Sequence, residues 1–156
     1  MSKGQRVMHG LDEAHLGALA AGLAPFARDG GVIHLSGELG AGKTTFARAL
    51  LQALGVGERV KSPTYSLIES YRVGALDIHH LDLYRIADAG ELEWLGLDDL
   101  QGAPSLMLIE WPERGAGALP KPDLVLELRH ADMRRDLAAH AFSKRGEALL
   151  RGFALR

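Results

Sequence analysis

Residues 37–44 carry a pattern that binds the phosphate groups of nucleotides. They read Gly-Glu-Leu-Gly-Ala-Gly-Lys-Thr, a full match to the phosphate-loop pattern Gly-x-x-x-x-Gly-Lys-Ser/Thr. The ammonium of Lys43 would reach the β- and γ-phosphates, and the hydroxyl of Thr44 would bind Mg²⁺. The loop glycines would let the backbone curl so that its N–H groups face phosphate oxygens. These glycines are Gly37, Gly40 and Gly42. The pattern predicts nucleotide binding.

The segments on either side of this loop provide the structural context that the pattern requires. Residues 31–35 form a short apolar run typical of a buried strand, and residues 43–54 carry apolar side chains at helical spacing. A strand that leads into the loop and a helix that leaves it would aim the positive end of the helix dipole at the phosphates. The local sequence therefore predicts both the loop and the elements that hold it.

A phosphate-bound Mg²⁺ ion needs a protein carboxylate in addition to a threonine hydroxyl, and two residues are candidates. Glu110 follows the apolar run 106–109, which places an acid at the carboxyl end of a buried strand, where open α/β sheets bind ligands. Asp82 lies in the motif His-Leu-Asp-Leu-Tyr-Arg at 80–85. From the pattern alone, either acid could instead be an exposed residue at a strand end or in a hairpin.

Other candidate residues are open to more than one interpretation. Thr64 lies in a Lys-Ser-Pro-Thr-Tyr segment, where a switch-like loop could bring it to a γ-phosphate, although Ser-Pro-Thr is also an ordinary loop sequence. His79 and His80 are better explained as hairpin side chains than as metal ligands, because no third His or Cys stands at zinc spacing. Trp111 could be a core aromatic or a stacking group.

The periodicity of the chain predicts an α/β fold of the P-loop NTPase type, with three layers and a mixed central sheet. The strands near the phosphate loop should be parallel, and residues 65–84 should form an antiparallel hairpin. Asp88 and Glu91 have the spacing of a capping box and predict a short helix through Trp94. The other predicted elements are helices at 11–26 and 145–153 and strands at 106–109, 124–128 and 137–142.

Composition favours one globular domain that spans residues 1–156. The chain is 47% hydrophobic, and its 18 basic and 20 acidic side chains give a net charge of −2. This balance carries no global signature of nucleic-acid binding. No apolar stretch reaches membrane-spanning length. The absence of cysteine excludes disulfides and cysteine-ligated zinc, and together with an N-terminus that lacks an apolar signal core it fits a cytoplasmic protein.

Four motifs together resemble the TsaE (YjeE) family of small bacterial ATPases. They are the phosphate loop with the next threonine, the Ser-Pro-Thr-Tyr segment, the motif with Asp82, and the Ile-Glu-Trp-Pro segment, at 37–45, 62–65, 80–85 and 109–112. Their order and spacing match as well. The resemblance implies an ATPase that works with the TsaD–TsaB pair. The implied function of this ATPase is in the formation of the threonylcarbamoyl group on adenosine 37 of tRNAs that read codons beginning with A.

The resemblance also implies roles for individual residues. Thr44 and Glu110 would hold Mg²⁺, and Asp82 would help to arrange the metal or the attacking water. Thr64 would belong to a switch-like segment, and Trp111 would lie near the nucleotide. The residues expected to hold ATP phosphates are Gly37, Gly40, Ala41, Gly42, Lys43, Thr44 and Thr45. Alone, such a protein should be a weak ATPase, monomeric or weakly self-associating. It should meet tRNA mainly through the complex and should not act at a membrane.

Other protein classes share the phosphate loop. A GTPase would normally recognise guanine with an Asn-Lys-x-Asp motif, and the chain contains no asparagine. A small-molecule kinase is the alternative. It would need an acceptor pocket, which no motif marks, and arginines over the phosphates, for which Arg114, Arg134 and Arg135 are candidates. A nucleotide-gated binding module with slow hydrolysis agrees with the family resemblance. The basic residues of the last quarter, including Arg145 and Arg151, are better explained by a solvated face than by a tRNA site.

Overall fold

The fold is built around one mixed β-sheet. The computed structural model describes residues 4–61, 63, 67–97, 100 and 104–153. In these ranges the strands are β1 (Gln5–Leu11), β2 (Gly31–Gly37), β3 (Ile68–Val73), β4 (Leu76–Asp82), β5 (Ser105–Glu110), β6 (Leu124–Ala131) and β7 (Arg134–Ala141). The α-helices are α1 (Glu13–Ala27), α2 (Lys43–Leu54) and α3 (Lys144–Leu150), and 3-10 segments include Ala89–Leu95 and Pro112–Gly115.

The strands follow the order β1-β7-β6-β2-β5-β4-β3 across the sheet. Strand β2 pairs in parallel with β5 on one side and with β6 on the other, and β4 pairs in parallel with β5. The pairs β3–β4, β6–β7 and β1–β7 are antiparallel. The predicted mixed sheet is confirmed, with parallel strands around the phosphate loop and an antiparallel hairpin formed by β3 and β4.

Strand β5 is buried on both faces because its side chains alternate between two hydrophobic cores. Leu106 and Leu108 belong to the larger core, under the α-helices, whereas Met107 and Ile109 belong to a smaller core. All four residues are at most 1% exposed. The 3-10 segment Ala89–Leu95 contributes to the smaller core. The sheet therefore lies between a layer of helices and a thinner layer of turns, and both faces need apolar side chains.

Helix α2, which follows the phosphate loop, has the predicted bounds. It ends at Leu54 and is capped by Gly55, which has φ 110° and whose N–H donates to backbone carbonyls of the last helical turn. Phe46, Leu50 and Leu54 stand four residues apart and are fully buried against the sheet and α1. Within the described ranges, no helix has the length and apolar character needed to cross a lipid bilayer.

Strand β1 is an element that the sequence pattern does not predict. It lies at the edge of the sheet, and Met8 is its one buried residue. Its pairing with β7 is interrupted by an irregularity between Met8 and Leu11. An edge strand of this kind has no alternation of apolar and polar residues to detect. Its position depends instead on the exposed backbone of β7, a partner more than 120 residues away.

We expect Gly146→Ala, at the start of α3, to destabilise the protein. A Cβ atom at this position would stand 1.8 Å from the backbone carbonyl oxygen of Asp123, so the helix or the start of β6 would have to move. Overpacking of this kind costs about 1–3 kcal/mol. Each kcal/mol lowers Tm by about 2–4 °C in a chain of this size. Thermal unfolding followed by circular dichroism measures the effect.

The control for this substitution is Gly17→Ala in α1, where nothing lies within 4 Å of the added Cβ. Alanine is favoured over glycine inside a helix by up to about 1 kcal/mol, so Tm should stay unchanged or rise. A Gly146→Ala variant as stable as the wild type would contradict the close packing of α3 against β6.

Candidate functional site

The phosphate loop connects the end of β2 to the start of α2, and three of its glycines, Gly37, Gly40 and Gly42, have positive φ. Gly37 has φ 146°, and a Cβ there would stand 2.3 Å from the carbonyl oxygen of Leu128 on β6. Gly42 precedes α2 with φ 105° and has no side chain to accept hydrogen bonds from the first helical turn. The N–H groups of that turn are therefore available to an anion.

Lys43 is buried although it carries a charge. Its ammonium donates hydrogen bonds to the carbonyl oxygen of Gly37 and, at 3.0 Å, to that of Glu38. It also lies 3.7 Å from the centre of the Trp111 ring. Burial lowers the pKa of Lys43, and nearby carboxylates oppose this shift, Glu110 most strongly. The loop carbonyls and the indole face thus stabilise a desolvated cation.

Glu110 is a buried carboxylate at the end of β5, with 1% of its surface exposed. The hydroxyl of Thr44 donates to its Oε1 atom at 2.8 Å. Nε2 of His80 lies 2.6 Å from its Oε2 atom. Two predicted site residues from distant parts of the sequence, Thr44 and Glu110, are therefore in direct contact. This contact joins the first turn of α2 to the end of β5.

Asp82 lies beside Glu110 because β4 and β5 pair in parallel with these two residues in register. Its Oδ1 atom accepts a hydrogen bond of 3.0 Å from the backbone N–H of Tyr84. Burial raises the pKa of Asp82; the Tyr84 N–H opposes this shift, and the neighbouring Glu110 adds to it. A carboxylate with a raised pKa accepts a proton more readily at neutral pH, as a general base must.

A cavity of about 370 Å³ lies between the phosphate loop and the ends of β4 and β5. The predicted site residues that line it are Gly40, Gly42, Lys43, Thr44, Thr45, Asp82, Glu110 and Trp111. Two other predicted residues belong to the loop but do not line the cavity: Gly37 packs against β6, and Ala41 is fully buried. Thr64 lies outside the described residues.

Aromatic and cationic side chains pack together at one side of this cavity. The rings of Trp111 and Tyr84 are 4.9 Å apart, and the Arg114 guanidinium lies 5.2 Å from the Tyr84 ring centre and 5.6 Å from that of Trp111. Trp111 has φ 59°, a left-handed backbone conformation that is uncommon for a large side chain. The Trp111 ring packs against the smaller core and also covers the Lys43 ammonium, so it contacts both the core and the site.

Two residues make contacts with the phosphate loop and with the Glu110 carboxylate that the sequence did not predict. Arg135 on β7 lines the cavity and donates to the carbonyl oxygen of Gly40 at 3.0 Å; the sequence suggested it only as an arginine over the phosphates of a kinase. His80 contacts Glu110. Strand alternation puts His80 and Asp82 on one face of β4. The register between β4 and β5, which brings that face to Glu110, depends on residues far apart in sequence.

The residues of this site fit a Mg²⁺ ion. In nucleotide sites Mg²⁺ is bound by oxygen ligands, usually one or two carboxylates with substrate phosphates and water. The Thr44 hydroxyl and the Glu110 carboxylate are already in contact, and Asp82 is the next carboxylate in register. Among the described residues, no group of three or more His, Cys, Asp or Glu side chains forms a metal site on its own. An ion here would therefore depend on nucleotide phosphates for its remaining ligands.

The chain is similar to one protein family over most of its length. The family described as threonylcarbamoyl adenosine biosynthesis protein TsaE matches residues 11–137. The tRNA threonylcarbamoyladenosine biosynthesis protein TsaE of Haemophilus influenzae is 42% identical over 123 residues, which are 79% of this chain and 78% of that protein. The protein of the same name from Bacillus subtilis is 38% identical over 133 residues, which are 85% of this chain and 83% of that protein.

A solved structure shares the fold. The crystal structure of Bacillus subtilis YdiB matches with a TM-score of 0.76 and 30% sequence identity, and the match covers 94% of this chain and 92% of that chain. The part of the sequence that matches the family contains the phosphate loop, Asp82, Glu110 and Trp111. The sequence similarity to the family therefore includes the candidate site.

We expect Asp82→Asn to stabilise the folded protein at neutral pH. The raised pKa of Asp82 means that the folded state holds the proton more tightly than the unfolded state, so stability falls as pH rises through the raised pKa. Asparagine keeps the oxygen that accepts from Tyr84 and removes the charge. A gain of about 1 kcal/mol would raise Tm by about 2–4 °C.

The measurement is thermal unfolding of both proteins between pH 4 and pH 8. The Tm difference should be largest at pH 8 and should shrink as the pH approaches the ordinary aspartate value of 3.8. A variant that is less stable than the wild type at pH 8, or a difference that does not change with pH, would contradict this assignment.

Proposed function

Because the chain belongs to the TsaE family of threonylcarbamoyl adenosine biosynthesis proteins, we propose that it binds and hydrolyses ATP as one component of threonylcarbamoyladenosine formation in tRNA. The observation that supports the ATPase part most directly is the contact between Thr44 and Glu110 beside the phosphate loop. A hydroxyl and a carboxylate in this position are the protein ligands that Mg²⁺ takes in phosphate-loop enzymes. ATP is thus the proposed substrate and Mg²⁺ the proposed cofactor.

Each residue of the site has a separate task in the proposed reaction. Lys43 would exchange its bonds to loop carbonyls for bonds to β- and γ-phosphate oxygens. Thr44 and Glu110 would hold Mg²⁺, which would supply positive charge beside the phosphate oxygens. Asp82 would orient the attacking water and accept its proton, a role for which its raised pKa suits it. The products would be ADP and inorganic phosphate.

We propose that the TsaD and TsaB proteins are the partners of this ATPase and that they stimulate it. The side chains around the cavity come from separate segments: Tyr84 and Arg85 follow β4, and Trp111 and Arg114 follow β5. Tyr84 and Arg85 are exposed. A partner surface packed against such segments can order them and complete a catalytic arrangement. Hydrolysis by the isolated chain should therefore be slow.

Contact with tRNA is proposed to occur mainly through the complex. The net charge of −2 provides little general attraction to nucleic acid. Several basic side chains near the C-terminus also make contacts within the chain. Arg134 donates to the carbonyl oxygen of Gly10, and Arg145 donates to those of Gly30 and Phe26. These side chains support the fold, which leaves fewer cations for phosphate contacts.

We expect TsaD and TsaB to raise the rate of ATP hydrolysis. The measurement is release of inorganic phosphate with Mg²⁺, first by this protein alone and then with both purified partners. An increase of at least about tenfold would correspond to about 1.4 kcal/mol of added transition-state stabilisation. Fast hydrolysis that does not respond to the partners would contradict the proposal. Transfer of the phosphoryl group to a metabolite would establish the kinase alternative instead.

We expect Glu110→Gln to abolish most of this hydrolysis while the fold remains intact. The change keeps the volume of the side chain and removes the charge that would hold Mg²⁺. Loss of metal-assisted stabilisation costs several kcal/mol, which lowers the rate by at least about 100-fold. The same phosphate-release measurement applies, and circular dichroism checks the fold.

The control for this variant is Glu147→Gln, because Glu147 is exposed on α3. Helix α3 begins next to Asp123, at the amino end of β6, whereas the phosphate loop is at the carboxyl end of β2. This control should keep the wild-type rate. If Glu110→Gln also keeps it, Glu110 is not a metal ligand.

A further inference from the structure

His80 is fully buried and forms a hydrogen bond with Glu110. The distance between its Nε2 atom and Oε2 of Glu110 is 2.6 Å. Because a carboxylate oxygen is an acceptor, the hydrogen of this bond belongs to Nε2. The other ring nitrogen, Nδ1, has no hydrogen-bond partner among the described residues. A buried nitrogen without a partner lowers stability, and a leucine at this position would avoid that cost. The presence of histidine therefore needs an explanation beyond packing.

The position of His80 along β4 suggests that explanation. Ile78, His80 and Asp82 share the face of β4 that points toward the larger core and α2. Ile78 belongs to the core, and Asp82 lines the cavity. His80 lies between them, at the boundary where apolar packing changes to the chemistry of the site.

The two carboxylate oxygens of Glu110 have different partners. Oε1 accepts from the Thr44 hydroxyl, and Oε2 contacts His80. The last torsion of a glutamate side chain has a broad, roughly two-fold preference and does not by itself hold the carboxylate in one orientation. With Oε2 held by the imidazole, Oε1 stays directed at Thr44 and the phosphate loop.

We propose that His80 is a positioning residue that fixes the Glu110 carboxylate in the orientation that binds Mg²⁺. The inference rests on the proposed function, because it requires a Mg²⁺–nucleotide complex at this site. It adds a residue that acts through Glu110 and not on the nucleotide. Substitution of a residue that hydrogen-bonds to a metal ligand typically lowers metal affinity or activity by about 10–100-fold.

Two substitutions separate positioning from packing. His80→Leu has a similar volume but no donor, whereas the side-chain amide of His80→Gln can still donate to Oε2. The fluorescent nucleotide mant-ADP is titrated with each protein in EDTA and at increasing Mg²⁺ concentrations. His80→Leu should need about 10–100-fold more Mg²⁺ to reach half of the Mg²⁺-dependent change in affinity. Its affinity for mant-ADP in EDTA should equal that of the wild type. His80→Gln should lie close to the wild type in both conditions.

His79→Leu is the matched control for this experiment. His79 is the preceding residue on β4, is also buried, and has its Nδ1 atom 2.8 Å from the hydroxyl of Ser70. It faces the opposite side of the sheet from Glu110. The same substitution at this position should leave the Mg²⁺ dependence unchanged, even where it lowers Tm. An equal loss of Mg²⁺ response in His79→Leu would overturn the positioning role.

A measurement on the unmodified protein keeps the inference testable if His80→Leu does not fold. The ¹⁵N chemical shifts of the histidine rings report which ring nitrogen carries hydrogen, and His80→Gln assigns the signal. His80 should carry hydrogen on Nε2, with slow exchange against water. Hydrogen on Nδ1 alone would overturn the inference.

The results also distinguish this inference from the proposed function. If the wild type binds mant-ADP with a clear Mg²⁺ dependence and His80→Leu keeps it, the role of His80 fails and the ATPase proposal stands. If the wild type shows no Mg²⁺ dependence at all, both fail.

Discussion

The site depends on the burial of one carboxylate, that of Glu110. A buried charge is strongly unfavourable unless hydrogen bonds or ion pairs replace its lost hydration. Glu110 obtains its hydrogen bonds from Thr44 on α2 and from His80 on β4. These partners reach it only because β2, β5 and β4 are parallel and end at the same edge of the sheet. The position of α2, the strand register and the candidate metal site are thus parts of one arrangement.

The same burial shapes the electrostatics of the other charged groups. Burial lowers the pKa of Lys43 and raises that of Asp82, so in each case desolvation disfavours the charged form. The negative charge of Glu110 raises both pKa values, because it stabilises the Lys43 cation and repels the Asp82 carboxylate. Ionisable groups whose charged forms are disfavoured in the folded state are commonly found at functional sites. The cost in stability is understandable if these side chains are retained to interact with charged phosphates and metal.

Much of the fold follows from local sequence, and the features that the sequence does not predict have physical causes. The phosphate loop and α2 are predictable because their glycines, lysine and apolar spacing lie within 20 consecutive residues. The alternation in β5 requires two buried faces, and the chain provides both.

Strand β1 could not be predicted, since its formation depends on pairing with β7 and it buries only Met8. The contact between His80 and Glu110 was missed for a similar reason. Strand alternation gives the face of His80, but only the register of β4 against β5 gives its neighbour.

The location of a bound metal–nucleotide complex tests this account most directly. Mn²⁺ can replace Mg²⁺ and broadens the NMR signals of nearby nuclei. With ¹⁵N-labelled protein, ADP and a small amount of Mn²⁺, we expect the strongest broadening at the backbone amides of Thr44, Asp82 and Glu110. The amide of Glu147, on α3, should be unaffected. Broadening centred elsewhere, or none that requires ADP, would contradict the assignment of the metal–nucleotide site to this edge of the sheet.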